Sequence, residues 1–104
     1  MPSRPARLLC IGTELDSLPT RCAVLNYRGY EAISATVAEA EILLRTEEFD
    51  LLIVSAWLEE WERGRTLAAA GRTPALLLTE LTLADELLAK VERMLQASLK
   101  HVLG

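Results

Sequence analysis

Few side chains in this sequence of 104 residues could carry chemistry, and most lack the company that chemistry needs. Ser55 closes the run Asp50-Leu51-Leu52-Ile53-Val54, so a strand would deliver its hydroxyl to the carboxyl end of a sheet. A serine nucleophile needs a histidine within hydrogen-bond reach. His101 is the sole histidine and stands in the tail, beyond a long helical pattern. Val54-Ser55-Ala56 also lacks the glycines of a nucleophile elbow, so hydrolysis is not expected. Mg²⁺ takes octahedral oxygen ligation that includes one or two carboxylates. Glu14, even helped by Glu59 or Glu80, makes a poor set, and neither metal nor cofactor is expected. Gly12 would let a backbone approach closely, but no Gly-x-Gly-x-x-Gly or phosphate-binding loop follows it.

Cys10 and Cys22 have neither metal-type spacing nor a disulfide framework, and read as reduced thiols. Cys10 falls in a buried strand as an inert small hydrophobe. Cys22 falls on a helix with no base or helix terminus in view to lower its pKa. Trp57 and Trp61 stand one helical turn apart, and tryptophan is enriched where binding energy concentrates. Trp57 reads as core lying over the sheet edge, and Trp61 reads equally as core or as an interaction surface. Glu59, Glu60, Glu62, Arg63 and Arg65 around them are the mixture of a solvated helix face.

Composition sets the frame that must hold these residues. The apolar fraction of 51% and charged fraction of 25% are those of a folded domain, and the length allows one. Net charge is −4 and the pI about 5.0, which argues against nucleic-acid binding, since such surfaces carry clustered Lys and Arg. No apolar run approaches the ~18 residues of a membrane span. Basic residues Arg4 and Arg7 precede Leu8 to Ile11, an apolar stretch too short for a signal-peptide core, so a cytoplasmic location is expected.

Leu8-Leu9-Cys10-Ile11, stopped by Gly12, suits a strand buried on both faces. Asp16-Ser17-Leu18-Pro19 supplies helix-start chemistry, and Gly29 a natural helix end. Tyr30 to Ala35 reads as a weaker second strand. Thr36-Val37-Ala38-Glu39 is a capping box opening a helix with Ala40, Leu43 and Leu44 on one face, ending near Glu47-Glu48. Asp50 to Ser55 is the third strand, and Leu58 to Ala70 a helix closed by Gly71. Ala75 to Thr79 is the fourth strand. Thr82-Leu83-Ala84-Asp85 resembles a second capping box and opens a helix through about Lys100, with Leu87, Val91, Met94, Leu95 and Ser98 along its face. Strand and helix alternate four times, the α/β pattern of a parallel sheet with right-handed crossovers. The domain is expected to span 1–104, with 1–6 a tail and 101–104 frayed.

In four places this order resembles a response-regulator receiver domain, over Arg7 to about Leu95. Leu8 to Glu14 resembles the family's first strand, which ends in an acidic pair. Arg28-Gly29-Tyr30-Glu31-Ala32 is similar to its Gly-Tyr-Glu-Val lead into the second. Phe49-Asp50-Leu51-Leu52-Ile53-Val54 resembles the Tyr-Asp-Leu-Ile-Ile approach to the phosphorylated aspartate. Thr73-Pro74-Ala75-Leu76-Leu77-Leu78-Thr79 is similar to the Pro-Ile-Ile-x-Leu-Thr fourth strand. The resemblance implies a three-layer, flavodoxin-like sandwich with a shortened parallel sheet in the order 2-1-3-4, the fifth strand missing.

It also marks what has changed. Ser55 stands at the phospho-acceptor position and cannot form an acyl phosphate. Gly12 and Thr13 replace the acidic pair, leaving Glu14, and with Thr79 these make a degenerate acidic pocket. The family's lysine and following proline have no counterpart. A non-phosphorylatable pseudo-receiver is therefore expected, not an enzyme, binding a protein partner in bacterial two-component or phosphorelay signalling. Its surfaces would be Trp57 and Trp61, or Val91 and Leu95 on the last helix. Homodimerisation is expected through that helix or the fourth-strand edge. The alternative is a small-ligand sensor, using the crevice lined by Gly12, Thr13, Glu14, Ser55, Ala56, Thr79 and Glu80.

Overall fold

The computed structural model describes residues 4–13, 18–79 and 82–103. Strands β1 (Arg7–Ile11), β2 (Glu31–Ala35), β3 (Leu51–Val54) and β4 (Ala75–Leu77) alternate with helices α1 (Leu18–Tyr27), α2 (Val37–Thr46), α3 (Glu60–Ala70) and α4 (Ala84–Leu103). The strands form one parallel sheet in the order β2-β1-β3-β4, as expected. Both faces of the sheet are apolar because β1 and β3 are continuous apolar runs, and pleating sends alternate residues each way. Leu8, Cys10, Leu51 and Ile53 point into a core closed by Cys22 and Leu25 of α1 and by Leu87 and Val91 of α4. Leu9, Ile11, Leu52 and Val54 point into the opposite core, closed by Ala40 of α2, by Ala70 of α3 and by Leu58 in the turn before α3. Sheet and two helix pairs make the three layers.

Local chemistry explains most boundaries. The Thr36 hydroxyl accepts from the Glu39 N–H at 3.3 Å, and the Glu39 carboxylate accepts from the Thr36 N–H at 2.9 Å, so α2 opens on the predicted capping box. Gly29 turns the chain out of α1 at φ 98°, a conformation that favours glycine. The expected cap of α1 at Asp16 and Ser17 lies outside the described residues.

Several boundaries differ from the sequence reading, most of them by one residue, and those around α3, β4 and α4 by more. Helix α3 begins at Glu60, not Leu58, because a turn held by Ser55 comes first; the Glu59 N–H then donates to Glu62 Oε1 at 3.0 Å. Strand β4 stops at Leu77, because the Thr79 N–H donates to Thr82 Oγ1 and the Thr82 N–H to the Thr79 carbonyl. Thr82 also donates its hydroxyl to Thr79 O at 3.0 Å, so it folds back toward β4 where the sequence reading had it open α4. Helix α4 runs through Leu103, past the expected Lys100.

Candidate functional site

The backbone ladder continues past the strands and thereby assembles the crevice. Ile11 pairs with Val54 and Val54 with Leu77. Beyond those pairs the Ser55 N–H reaches the Ile11 carbonyl at 2.9 Å, the Gly12 N–H reaches Ala35 O at 3.1 Å, and the Leu78 N–H reaches Val54 O at 2.9 Å. Gly12, Ser55 and Leu78 therefore leave the sheet side by side, with Thr13 and Thr79 one residue further on. The structure thus brings Gly12, Thr13, Ser55 and Thr79 to one end of the sheet, as expected for the crevice. Glu14 and Glu80 lie outside the described residues.

Ser55 is 1% exposed. Its Oγ accepts the Trp57 N–H at 3.0 Å, a side-chain turn that carries the chain away from the sheet. The hydroxyl is thus occupied in shaping the loop. Thr13 is half-buried and Thr79 exposed, its Oγ1 3.0 Å from that of Thr82. Hydroxyls and backbone groups supply the polar lining that is described here, and none of them titrates near neutrality. Among the described residues, no group of three His, Cys, Asp or Glu side chains is placed to hold a metal ion.

The tryptophans depart from the sequence reading. Trp57 sits in the turn before α3, not on the helix, and is 55% exposed, so it is not a core residue over the sheet edge. Trp61, on α3, is 58% exposed, and its Nε1–H donates to Glu59 Oε2 at 2.8 Å. The last helix is corrected in the opposite sense. Val91 is fully buried in the core shared with α1 and cannot serve as an interaction surface, while Leu95 is half-buried against that same core. The broad stripe of α4 is largely the cover of the sheet.

Other polar features lie away from the crevice. Cys10 and Cys22 meet in the core between β1 and α1. Hydrogen bonding to Cys10 holds the Cys22 thiol below the usual range, helped by Ser34 and the charge of Arg21 and opposed by burial. The sequence offered no base or helix terminus for this, and the leading cause is instead a second thiol that the fold brings up.

The sequence reading placed Arg7 only as a basic residue before the first strand and missed what it binds. At the amino ends of the strands its guanidinium donates to Glu47 Oε1 at 2.6 Å and to the Glu48 carbonyl at 2.9 Å. It also pairs with Glu31 at 3.2 Å and lies 4.7 Å over the Phe49 ring, while its N–H reaches Asp50 Oδ2 at 2.7 Å. The Glu47 hydrogen bond is the main cause that raises its pKa. A signal existed: Arg7, Glu31 and Asp50 each stand at or just before the start of a strand, and a parallel sheet gathers all three starts at one end. A cleft of about 400 Å³ adjoins this end, between Arg4, Phe49, Asp50, Arg72 and Pro74.

No described helix is long and apolar enough to cross a membrane. No protein-family model and no curated protein matches the sequence. Among solved structures, the crystal structure of a CheY-like response regulator receiver domain protein from Methanospirillum hungatei JF-1 is similar to it. The match has a TM-score of 0.69, covers 93% of this chain and 98% of that one, and is 17% identical in sequence. Four parallel strands in the order 2-1-3-4 between two helix pairs, and this likeness in three dimensions, make the chain a receiver-like domain in fold.

Proposed function

We propose that this domain is a signalling module of receiver fold that no longer accepts phosphate and acts through protein recognition. It is not an enzyme on this reading, and it works in the cytoplasm on a partner of a two-component-type pathway. The observation that carries it is the pair Trp57 and Trp61, each more than half exposed beside the vestigial acceptor position. Large aromatic side chains left in water at a loop–helix junction are the usual anchors of a protein interface. Ser55 supports the same reading. A serine there forms no acyl phosphate, and its hydroxyl holds the Trp57 amide, so the old acceptor position shapes the proposed surface.

The test is a tryptophan-fluorescence titration with Mg²⁺ and beryllofluoride, a mimic of the phosphoryl group. Trp57 is two residues from Ser55 and reports on it. The expected outcome is no saturable change. A saturable change would mean that the crevice still holds metal and phosphate mimic, and the loss of phosphoryl chemistry would be withdrawn. On the recognition side, Trp61→Ala should weaken partner binding by about tenfold or more while leaving the melting temperature unmoved.

A further inference from the structure

The open edge of β4 is the second exposed feature, and it carries an argument separate from the tryptophans. Among the described residues β4 pairs with β3 alone. The Pro74 carbonyl accepts from the Leu52 N–H at 2.9 Å and the Leu78 N–H donates to Val54 O at 2.9 Å, so the even-numbered residues turn their backbone toward β3. Strand alternation then turns Ala75 and Leu77 outward. Beyond them the Thr73 N–H is taken by Ala70 O and the Thr79 N–H by Thr82 Oγ1. Two N–H and two C=O groups, on Ala75 and Leu77, make no hydrogen bond among the described residues. Leu77 is 48% exposed, whereas Leu76 and Leu78 are 9% and 6%. No charged residue stands in β4 to guard this edge, which is the usual natural defence.

We propose that a second copy of this chain pairs on the β4 edge. A two-fold axis perpendicular to the sheet sets the two strands antiparallel. With Leu76 on that axis, Ala75 of each copy faces Leu77 of the other. These are the residues with outward backbone groups, so both pairs form doubly hydrogen-bonded contacts and all open groups are satisfied. Charge runs the same way. The chain enters β4 past exposed Arg72 and reaches exposed Asp85 and Glu86 in the first turn of α4. An antiparallel pair thus brings each copy's basic approach toward the other's acidic exit. The sequence offered two routes to a dimer, and burial of Leu87 and Val91 spends the α4 route on the monomer's own core. So short an edge gives a weak dimer, of about micromolar affinity.

Sedimentation of the full chain from about 0.05 to 500 μM tests this, a range that brackets a micromolar dimer. The mass should rise from 11.5 kDa to twice that, and the Ala75 and Leu77 amides should gain exchange protection with concentration. Leu77→Lys should hold the chain monomeric throughout the range, and Arg72→Glu should move the transition to higher concentration. If Leu77→Lys fails to fold by circular dichroism, Arg72→Glu and the wild-type amide exchange decide the matter. Trp61→Ala should leave the dimer intact, which separates this proposal from the tryptophan surface. A chain monomeric at 500 μM overturns it. So does a dimer in which those two amides exchange at the monomer rate, or one lost in Trp61→Ala.

Discussion

Ser55 occupies the end of β3 with its hydroxyl engaged, and that engagement reaches outward. By accepting the Trp57 N–H it fixes the turn that precedes α3 and thereby aims Trp57 at solvent. Ser55→Ala should cost about 1 kcal/mol, the net worth of one intramolecular hydrogen bond. It should also shift the emission of Trp57, read in a Trp61→Phe background so that one fluorophore reports. An unchanged spectrum with unchanged stability would mean that the turn holds without Ser55. The position of Ser55 was legible, because an unbroken apolar run puts the next residue at the sheet's end. The exposure of Trp57 was not. It depends on one hydrogen bond from side chain to backbone, which leaves no periodic trace. Cys10 and Cys22 were opaque for a related reason: their spacing along the chain says nothing about a strand and a helix that pack thiol to thiol.

Elements announce themselves where a local motif and the apolar period agree. Thr36 and Glu39 satisfied both conditions, and the capping box formed. Thr82 and Asp85 have the same spacing, yet Thr82 turned to Thr79, whose hydroxyl and backbone lie within reach at 3.0 Å. A competing partner outside the helix decided between them, and sequence spacing does not record it. The working box has a measurable signature. The Thr36 N–H, and then its hydroxyl, hold the Glu39 carboxyl below the usual glutamate range. A carboxylate with a lowered folded-state pKa stabilises above the unfolded value, and that stabilisation is lost as pH falls through the folded value. Glu39→Gln should therefore flatten part of the acid limb of the stability–pH curve, measured by urea melts at stepped pH. Thr36→Ala should cost about 1 kcal/mol at neutral pH, as loss of a cap does.

For the molecule as a whole, the βα alternation carried the topology, and the sheet order followed from the resemblance. The broad apolar stripe on α4 was legible too, but its use was not, since an interface and a core demand the same pattern of residues. Burial settles it in favour of the core, and the energetic consequence is direct. Leu87→Ala, at a side chain 4% exposed, should cost about 3 kcal/mol and lower the melting temperature of a domain this size by about 15 °C. It should do so without altering the mass in solution at any one concentration where the chain remains folded. A change of mass with no loss of stability would return α4 to the surface.

The place of α4 also bears on how the domain fails. With α1, it closes the face formed by Leu8, Cys10, Leu51 and Ile53. A molecule in which α4 has come away keeps its whole sheet, yet one side lacks half its cover. That partly open form presents the apolar surface that draws chaperones and aggregates. A substitution that loosens α4, far from the crevice and from both tryptophans, should therefore raise aggregation on mild heating, read by light scattering, before it unfolds the sheet.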